Sequence, residues 1–373
     1  MIGDEVIVII LSNLEIKNPS KESEKVKNLL YFLKKNKTLS KEEFLFVLDN
    51  ITQEEFKLLR ELAYSVREEN FGNSVYMRAL IEISNYCSQG CKYCGIRRNN
   101  KLVDRYRLDK DSILNCANEG YLLGYRTFVL QAGEDKYYND ELLCDIVSSI
   151  KKNHPDTAIT LSIGERTKES YQKLFDAGAD RYLLRHESAS RRLYDYIHPD
   201  SSSYDNRIKS LYNLKDIGYQ VGAGFMVGLP TQTNEDLVED LLFLQKLKPE
   251  MCGIGPYLCH SETPLKGNVS GTLNQTLVMV ALTRLILPNC LLPSTTALGT
   301  LSNTGREEAL KAGANVVMPN LSPVEHRVKY EIYQHKICTG DEAAHCRNCI
   351  ENRINFTGFV VDMGIGHHKN FGG

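Results

Sequence analysis

The sequence predicts an α/β fold, a complete (β/α)8 barrel of the TIM type with an N-terminal helical extension and a C-terminal metal-binding segment. Three observations predict it. Short apolar segments alternate repeatedly with longer amphipathic segments across the middle of the chain. A stretch with helical periodicity precedes them, and a polar stretch with clustered cysteines follows them. We therefore divide the chain into a helical extension at 1–75, a barrel at 76–320 and a C-terminal segment with a second cysteine cluster at 321–373.

The composition is that of a packed globular protein. The 373 residues are 42% hydrophobic and 25% charged, which excludes a disordered or collagen-like chain. The net charge of −2 excludes the broad positive field of a sequence-independent nucleic-acid binder, so we expect no nucleic-acid partner. The apolar run at 6–11 lacks a basic start and is too short to cross a membrane, so we expect no secretion signal and no membrane partner. We expect a cytoplasmic location, where thiols stay reduced.

Residues 19–70 have apolar side chains at the spacing of three amphipathic helices. Capping boxes mark where the second and third helices begin, because Ser40 is followed three residues later by Glu43, and Thr52 by Glu55. The charged faces of these helices are expected to be solvated exterior.

Eight strand-like runs alternate with helical segments in the barrel region. The runs lie at 79–83, 127–130, 158–163, 181–184, 220–227, 251–256, 292–295 and 316–318. Such alternation requires parallel strands with right-handed crossovers, and eight of them close a barrel. Gly178, Gly218 and Gly313 stand where helices stop before the next strand. A doubly wound open sheet is the alternative, but seven successive crossovers are more than such sheets usually have.

The first cysteine group, Cys87, Cys91 and Cys94, follows directly on the first barrel strand. This position is a loop at the C-terminal mouth of the barrel, where barrel enzymes keep their chemistry. Three thiolates in one short loop can bind three irons of a [4Fe–4S] cluster and leave one iron open. A zinc site with three cysteines and one histidine is the alternative, but no histidine lies within this loop.

The spacing of this group, with Tyr93 before its last cysteine, resembles the radical SAM superfamily. The resemblance implies that S-adenosylmethionine chelates the open iron. It also implies that an electron from the reduced cluster cleaves the cofactor to a 5′-deoxyadenosyl radical. In such enzymes the cofactor supplies the hard chemistry, and the protein orients and shields it.

Further segments resemble the HydE family, the radical SAM maturases of [FeFe]-hydrogenase. They are Cys-Gly-Ile-Arg-Arg at 94–98, Leu-Gln-Ala-Gly-Glu-Asp at 130–135, Ala-Asp-Arg-Tyr-Leu-Leu-Arg-His-Glu at 179–187, Gly-Ala-Gly-Phe-Met-Val-Gly-Leu-Pro at 222–230, Gly-Ile-Gly-Pro at 253–256, Ser-Thr-Thr-Ala at 294–297 and Ala-Asn-Val-Val-Met-Pro-Asn at 314–320. The resemblance runs from about residue 78 to 349. Methylornithine synthase and biotin synthase share the barrel and the first motif, so a related mutase or synthase acting on an amino acid is an alternative function. A non-catalytic iron–sulfur carrier is another.

The resemblance implies a set of residues that bind the cofactor. They are Tyr93, Gln131, Ala132, Gly133, Glu134, Arg185, Glu187 and Arg207. A zwitterionic amino acid needs a guanidinium for its carboxylate and a carboxylate for its ammonium group, which the Arg185 and Glu187 pair supplies. The family more often has Ser at position 132 and Gly at position 231, where this chain has Ala132 and Thr231.

The resemblance also implies a substrate cavity inside the barrel. Its lining residues are Arg78, Thr295, Thr296, Ala297, Met318, Tyr330 and Tyr333. Hydroxyls and one arginine in an otherwise apolar tube suit a small anionic substrate. Core packing is an equal alternative for Met318, and a packed helix for the two tyrosines. We expect His186 to be structural, and we predict no catalytic residue beyond the cluster and cofactor ligands.

The second cysteine group, Cys338, Cys346 and Cys349, follows the last barrel strand. Some HydE proteins have a second iron–sulfur cluster, [2Fe–2S] or [4Fe–4S], at this spacing, whereas others lack these cysteines. Zinc bound with the help of His345 is the alternative. Because the group lies outside the loops around the open iron, we expect its metal to be unnecessary for the central reaction. The other cysteines, Cys116, Cys144, Cys252, Cys259 and Cys290, are expected to be small core residues.

The resemblance therefore implies an oxygen-sensitive radical SAM oxidoreductase in assembly of the hydrogenase H-cluster. The expected substrate is a small sulfur-containing or organometallic iron precursor, which the resemblance suggests is a cysteine-bound Fe(CO)2(CN) complex. The expected partners are the small-molecule substrate, a low-potential electron donor such as ferredoxin or flavodoxin, and other hydrogenase maturases.

Overall fold

A computed structural model describes residues 20–340 and 343–371. The apolar run at 6–11 lies outside the described residues. The helices of the extension are α1 (Lys21–Asn36), α2 (Lys41–Asn50) and α3 (Gln53–Phe71). Both predicted capping boxes are confirmed, because the backbone N–H of Ser40 donates to Glu43 at 2.8 Å and that of Thr52 donates to Glu55 at 3.0 Å.

The strands of the described chain are β1 (Ser74–Met77), β2 (Ala79–Ser84), β3 (Thr127–Ala132), β4 (Ala158–Ser162), β5 (Arg181–Leu183), β6 (Gln220–Ala223), β7 (Met226–Val227), β8 (Met251–Cys252), β9 (Gly255–Pro256), β10 (Val316–Val317) and β11 (Val360–Asp362). The central sheet is parallel and has six of these strands in the order β2, β3, β4, β5, β6 and β8. Sequential strands lie side by side in this sheet, as repeated right-handed crossovers require. The predicted parallel α/β architecture is confirmed.

Single parallel bridges continue the sheet from β8 back to β2. They join Met251 to Leu291, Pro293 to Val316, and Leu80 to Asn320. The predicted seventh run, 292–295, thus contributes one isolated bridge, at Pro293, and no regular strand. This ring of parallel pairings is consistent with a TIM-type barrel.

Two predicted strands, 220–227 and 251–256, are each interrupted in the middle. Gly224 has φ +155°, and a Cβ there would lie 2.1 Å from the carbonyl oxygen of Gly253. Only glycine allows this close approach of the two chains. The interruption separates β6 from β7 and β8 from β9, and the second halves form a pair of their own, β7 with β9.

Helices cover the outside of the sheet, and apolar side chains from both layers form one large core. They are α4 (Lys110–Leu122), α5 (Asp140–Asn153), α6 (Lys168–Asp176), α7 (Arg191–Ile197), α8 (Tyr204–Ile217), α9 (Asn234–Leu247), α10 (Leu273–Ile286), α11 (Thr296–Leu301), α12 (Gly305–Lys311), α13 (Val324–Arg327) and α14 (Ala343–Phe356). In the part of the chain that the structure describes, no helix has the length and apolarity needed to span a membrane.

The chain after β10 returns to the N-terminal end of the strands, which the sequence pattern did not predict. Strand β11 pairs in parallel with β1 on the side opposite β10. The residues that follow approach the barrel axis, where the carbonyl of Ile365 accepts from Arg181 at 2.8 Å and that of Gly366 accepts from Arg78 at 3.2 Å. This tail, 363–368, therefore covers the end of the barrel opposite the strand carboxyl ends.

Arg67 on α3 joins the helical extension to the barrel. Its side chain is fully buried and donates to the carbonyls of Ala314 at 3.2 Å, Ser74 at 2.7 Å and Gly72. Its guanidinium also lies 4.1 Å from the ring centre of Phe359. One arginine thus satisfies three carbonyls that burial removes from water.

We predict that Arg67→Met destabilises the protein by about 3 kcal/mol, because three buried carbonyls lose their donors while the apolar stem remains. The midpoint of urea unfolding measures the effect. Lys57→Met, at an exposed position of the same helix, is the matched control and should shift stability by less than about 0.5 kcal/mol. Equal midpoints for the two variants would contradict the assigned role of Arg67.

Candidate active site

A cavity of about 340 Å³ opens at the carboxyl ends of the barrel strands. Cys87, Cys91 and Cys94 line it from the loop that follows β2. Arg105 fixes this loop by donating to the carbonyls of Ile96 at 2.8 Å and of Arg97 at 2.8 Å, and to others. The first cysteine group therefore lies where the sequence predicts it, at the mouth of the barrel.

The turn after β3 packs against the cysteine loop without space for a side chain. A Cβ at Gly133 would lie 2.3 Å from the carbonyl oxygen of Tyr86 and 2.7 Å from the Cβ of Cys87. The backbone of this turn consequently faces the cavity beside the thiols. Gln131, Ala132 and Glu134 line the cavity with it.

Burial raises the pKa of all three thiols in the loop, that of Cys91 to about 12. The thiolate form therefore needs a positive charge beside it, which a bound metal provides. Among the described residues, no three His, Cys, Asp or Glu side chains are placed to hold a single metal ion. A cubane cluster distributes its thiolates over separate irons, so three thiols around one cavity fit a cluster better than a zinc ion.

Arg185 and Glu187 face the cavity from the segment after β5. The Arg185 Nη2 and Glu187 Oε2 atoms are 3.3 Å apart, yet Arg185 Nε and Glu187 Oε2 are buried without a hydrogen-bond partner in the described structure. Glu187 also has φ +64°, a left-handed conformation that is uncommon for glutamate and is found at functional sites. These groups can therefore still form hydrogen bonds with a bound amino acid, Glu187 with its ammonium group and Arg185 with its carboxylate.

Arg207 on α8 supports this wall of the cavity. Its Nη1 donates to the carbonyl of Arg185 at 2.6 Å, its Nε donates to Glu165, and its Nη2 lies 3.9 Å from Glu134. Two carboxylates thus compensate one buried guanidinium. Glu165 was not predicted as a site residue, because it lies outside the sequence segments that carry the family resemblance. Tyr93 also lines the cavity, and burial raises the pKa of its hydroxyl.

The predicted substrate-binding residues lie on another wall, with one exception. Thr295, Thr296, Ala297, Met318, Tyr330 and Tyr333 all line the cavity. The hydroxyl of Thr295 is buried without a hydrogen-bond partner in the described structure, whereas that of Tyr330 accepts from Gln131 at 3.1 Å.

The expectation for Arg78 is not met. Its side chain lies at the opposite end of the barrel, where it contacts the Met251 sulfur at 3.3 Å and the tail, and it does not line the cavity. The reason is its place before β2, at the end of the barrel where the strands enter.

Arg306 on α12 provides the cavity with an arginine in its place. It donates to the Thr296 hydroxyl at 3.2 Å and to the Cys338 sulfur at 3.6 Å, and it forms no ion pair in the described chain. A second cation, Lys336, also lines the cavity but is paired with the buried Glu82. Neither residue was predicted from the sequence, because both lie outside the segments that carry the family resemblance.

The second cysteine group approaches this cavity from the segment that follows the barrel. Cys338 and Cys346 line it, whereas Cys349 is exposed. A hydrogen bond with Cys346 and the nearby Arg306 guanidinium lower the pKa of the Cys338 thiol below its ordinary value. Within the described residues these thiols and His345 do not form a ready site for one metal ion.

His186 is structural, as the sequence predicts. Its ring is fully buried, with Nε2 3.1 Å from Asp240 Oδ1 and Nδ1 accepting from the backbone N–H of Gly224 at 3.3 Å. Burial lowers its pKa to about 3, so the ring is neutral at physiological pH. It holds β5 against the interrupted strand β6 and does not line the cavity.

The sequence profile of the Radical SAM superfamily matches residues 81–244, which include the cysteine loop and Arg185, Glu187 and Arg207. Two solved structures show the same fold. Methylornithine synthase has a TM-score of 0.77 at 23% identity, over 90% of this chain and 97% of that one. HydG from Carboxydothermus hydrogenoformans has a TM-score of 0.78 at 21% identity, over 98% of this chain and 84% of that one. Fold and site thus define a radical SAM enzyme.

Similar proteins of named function narrow the assignment from the superfamily to one family. The [FeFe] hydrogenase maturase subunit HydE of Thermotoga maritima is 47% identical over 300 residues, which are 80% of this chain and 85% of that protein. The 3-methylornithine synthase of Methanosarcina acetivorans is 28% identical over 79% of this chain and 83% of that one. The chain belongs to the HydE family.

We predict that Cys91→Ala abolishes both the [4Fe–4S] absorption and S-adenosylmethionine cleavage, because no neighbouring side chain can replace the thiolate. Iron content, electron paramagnetic resonance and 5′-deoxyadenosine release measure the loss. Cys144→Ala, on the outer helix α5, is the control and should behave as wild type. Circular dichroism should show that both variants keep the barrel, and retained cleavage in Cys91→Ala would disprove the assignment.

Proposed function

We propose that this protein acts as a maturase of [FeFe]-hydrogenase, using S-adenosylmethionine to modify a small iron- or sulfur-containing precursor of the H-cluster. The observation that supports the proposal best is one cavity with the three-cysteine loop on one side and Thr295, Thr296 and Arg306 on another. Membership of the HydE family supports the choice of reaction.

The residues around the cavity fit the expected cofactors. Cys87, Cys91 and Cys94 would hold the [4Fe–4S] cluster, while Arg185 and Glu187 would bind the amino acid part of S-adenosylmethionine. When bound, these groups supply a one-electron reductive cleavage that generates an organic radical. Arg207 positions this wall, because it is bonded to the Arg185 carbonyl and is itself held by two glutamates. The enclosing barrel excludes water and competing reactants.

The substrate end of the cavity suits a compact anion. Arg306 donates to Thr296 and forms no ion pair in the described chain, so its charge is available to a carboxylate or another anionic group. Lys336 is less available, since Glu82 neutralises it. We propose that the substrate at this place is a cysteine-bound Fe(CO)2(CN) complex, delivered by a partner maturase in the reducing cytoplasm, because such a complex is a compact anion.

The decisive experiment adds the purified protein to a cell-free hydrogenase maturation mixture that lacks its own HydE. We expect restored hydrogen evolution, and the Cys91→Ala variant as negative control should restore none. Failure beside a working wild-type HydE would favour the alternative, a radical SAM synthase or mutase acting on an amino acid. Absence of 5′-deoxyadenosine with every reductant would favour the iron–sulfur carrier.

We further propose that Cys338, Cys346 and Cys349 bind a second iron–sulfur cluster, with Cys349 moving inward from its exposed position when metal binds. Arg306, next to Cys338, would stabilise the thiolate charge. Reductive cleavage needs only the first cysteine group, so the second metal is structural or relays electrons.

We predict that Cys346→Ser combined with Cys349→Ser loses the second metal but still cleaves S-adenosylmethionine. Cleavage is measured with a small chemical reductant and with a protein donor. Equal retention supports a structural site, and loss with the protein donor alone supports a relay. Loss with both would show that the second site is required, and Cys144→Ser serves as the control for thiol removal.

A further inference from the structure

The loop that holds the first cysteine group has a high positive charge. Residues 92–107 contain six Lys and Arg but one acidic residue, Asp104, in a chain whose net charge is −2. Most of these charges have internal partners. Arg105 donates to backbone carbonyls, Arg107 donates to Asp135 at 2.7 Å, and Lys92 donates to the carbonyl of Tyr196 at 2.7 Å.

Arg98 and Lys101 are different, because they are exposed and have no ion-pair partner in the part of the chain that the structure describes. Leu102, the next residue along the chain, is 75% exposed. We call Arg98, Lys101 and Leu102 the basic patch. Exposed positive charges that have no ion-pair partner within the protein can attract and orient a partner of opposite charge.

The basic patch is bonded directly to the stretch between Cys87 and Cys91. The backbone N–H of Arg98 donates to the carbonyl of Gln89 at 2.8 Å, and the side chain of the adjacent Arg97 donates to that of Gly90 at 3.3 Å. On another side the loop is covered, because Gly95 donates to the carbonyl of Ile332 at 2.9 Å. The patch thus lies on the surface directly next to the stretch of chain between Cys87 and Cys91.

We propose that the basic patch is the docking surface for a small acidic redox protein that delivers single electrons to the metal group held by Cys87, Cys91 and Cys94. The inference rests on the proposed function, since that chemistry consumes one electron from outside for each cleavage. The donor loses one electron, the metal group gains it, and no bond forms between the proteins. A small charged surface suits such a partner, because electron-transfer encounters are transient and steered by charge.

The test compares Arg98→Glu combined with Lys101→Glu against Lys57→Glu combined with Lys152→Glu. The control pair makes the same charge change at exposed positions of α3 and α5, away from the loop. Binding of purified flavodoxin to the cluster-loaded protein is measured by biolayer interferometry at low and high salt. We expect the patch variant to bind about tenfold more weakly at low salt, and the control to bind within about twofold of wild type. Equal binding by the two variants would overturn the proposal.

Cleavage of S-adenosylmethionine provides the second measurement. With enzymatically reduced flavodoxin at a low concentration, the patch variant should be slower by the same factor as its loss of affinity. With titanium(III) citrate, it should match wild type, because a small reductant needs no docking surface. Wild-type rates with flavodoxin would overturn the docking proposal alone. No cleavage by the wild-type protein with titanium(III) citrate would instead refute the proposed function, while the binding comparison would still decide the docking surface.

Discussion

The parallel pairing of the strands is the constraint on which the site depends. Every pairing in the six-stranded sheet runs in the same direction, so the loops after β2, β3 and β5 open at one end of the barrel. Residues far apart along the chain, such as Cys91, Gly133 and Glu187, consequently line one cavity. Antiparallel pairing would distribute the same loops between two ends and separate the thiols from the groups that complement an amino acid.

The buried charges around this cavity fall into two kinds. Arg207 is compensated by Glu134 and Glu165, and Lys336 by Glu82, so these groups hold the walls in place. Other groups, such as Arg185 Nε, remain without a protein partner in the described structure. Burying a polar group without a partner costs free energy, and a bound ligand can recover it. We therefore propose that the uncompensated groups that line the cavity are those that contact a ligand.

The sequence predicted those features that depend on residues close to one another along the chain. Periodicity defined the parallel strands, and the spacing of Cys87, Cys91 and Cys94 located the mouth of the barrel. Contacts made after the chain turns back could not be predicted in this way. The position of Arg78 just before the first predicted strand did not indicate which end of the barrel its side chain faces. The approach of Cys338 to the cavity depends on the packing of the segment after the barrel, which has no regular periodicity.

The tail at 363–368 has a consequence for how the molecule assembles during synthesis. Its carbonyls provide partners for the buried guanidiniums of Arg78 and Arg181, which belong to strands made much earlier. Until that segment has been synthesised, these two guanidiniums, at the end of the barrel where the strands begin, lack these partners, and β1 lacks its neighbour β11. During synthesis the barrel is therefore uncovered at the end where its strands begin. Its interior is sealed at that end by a part of the chain that contributes nothing to the chemistry at the other.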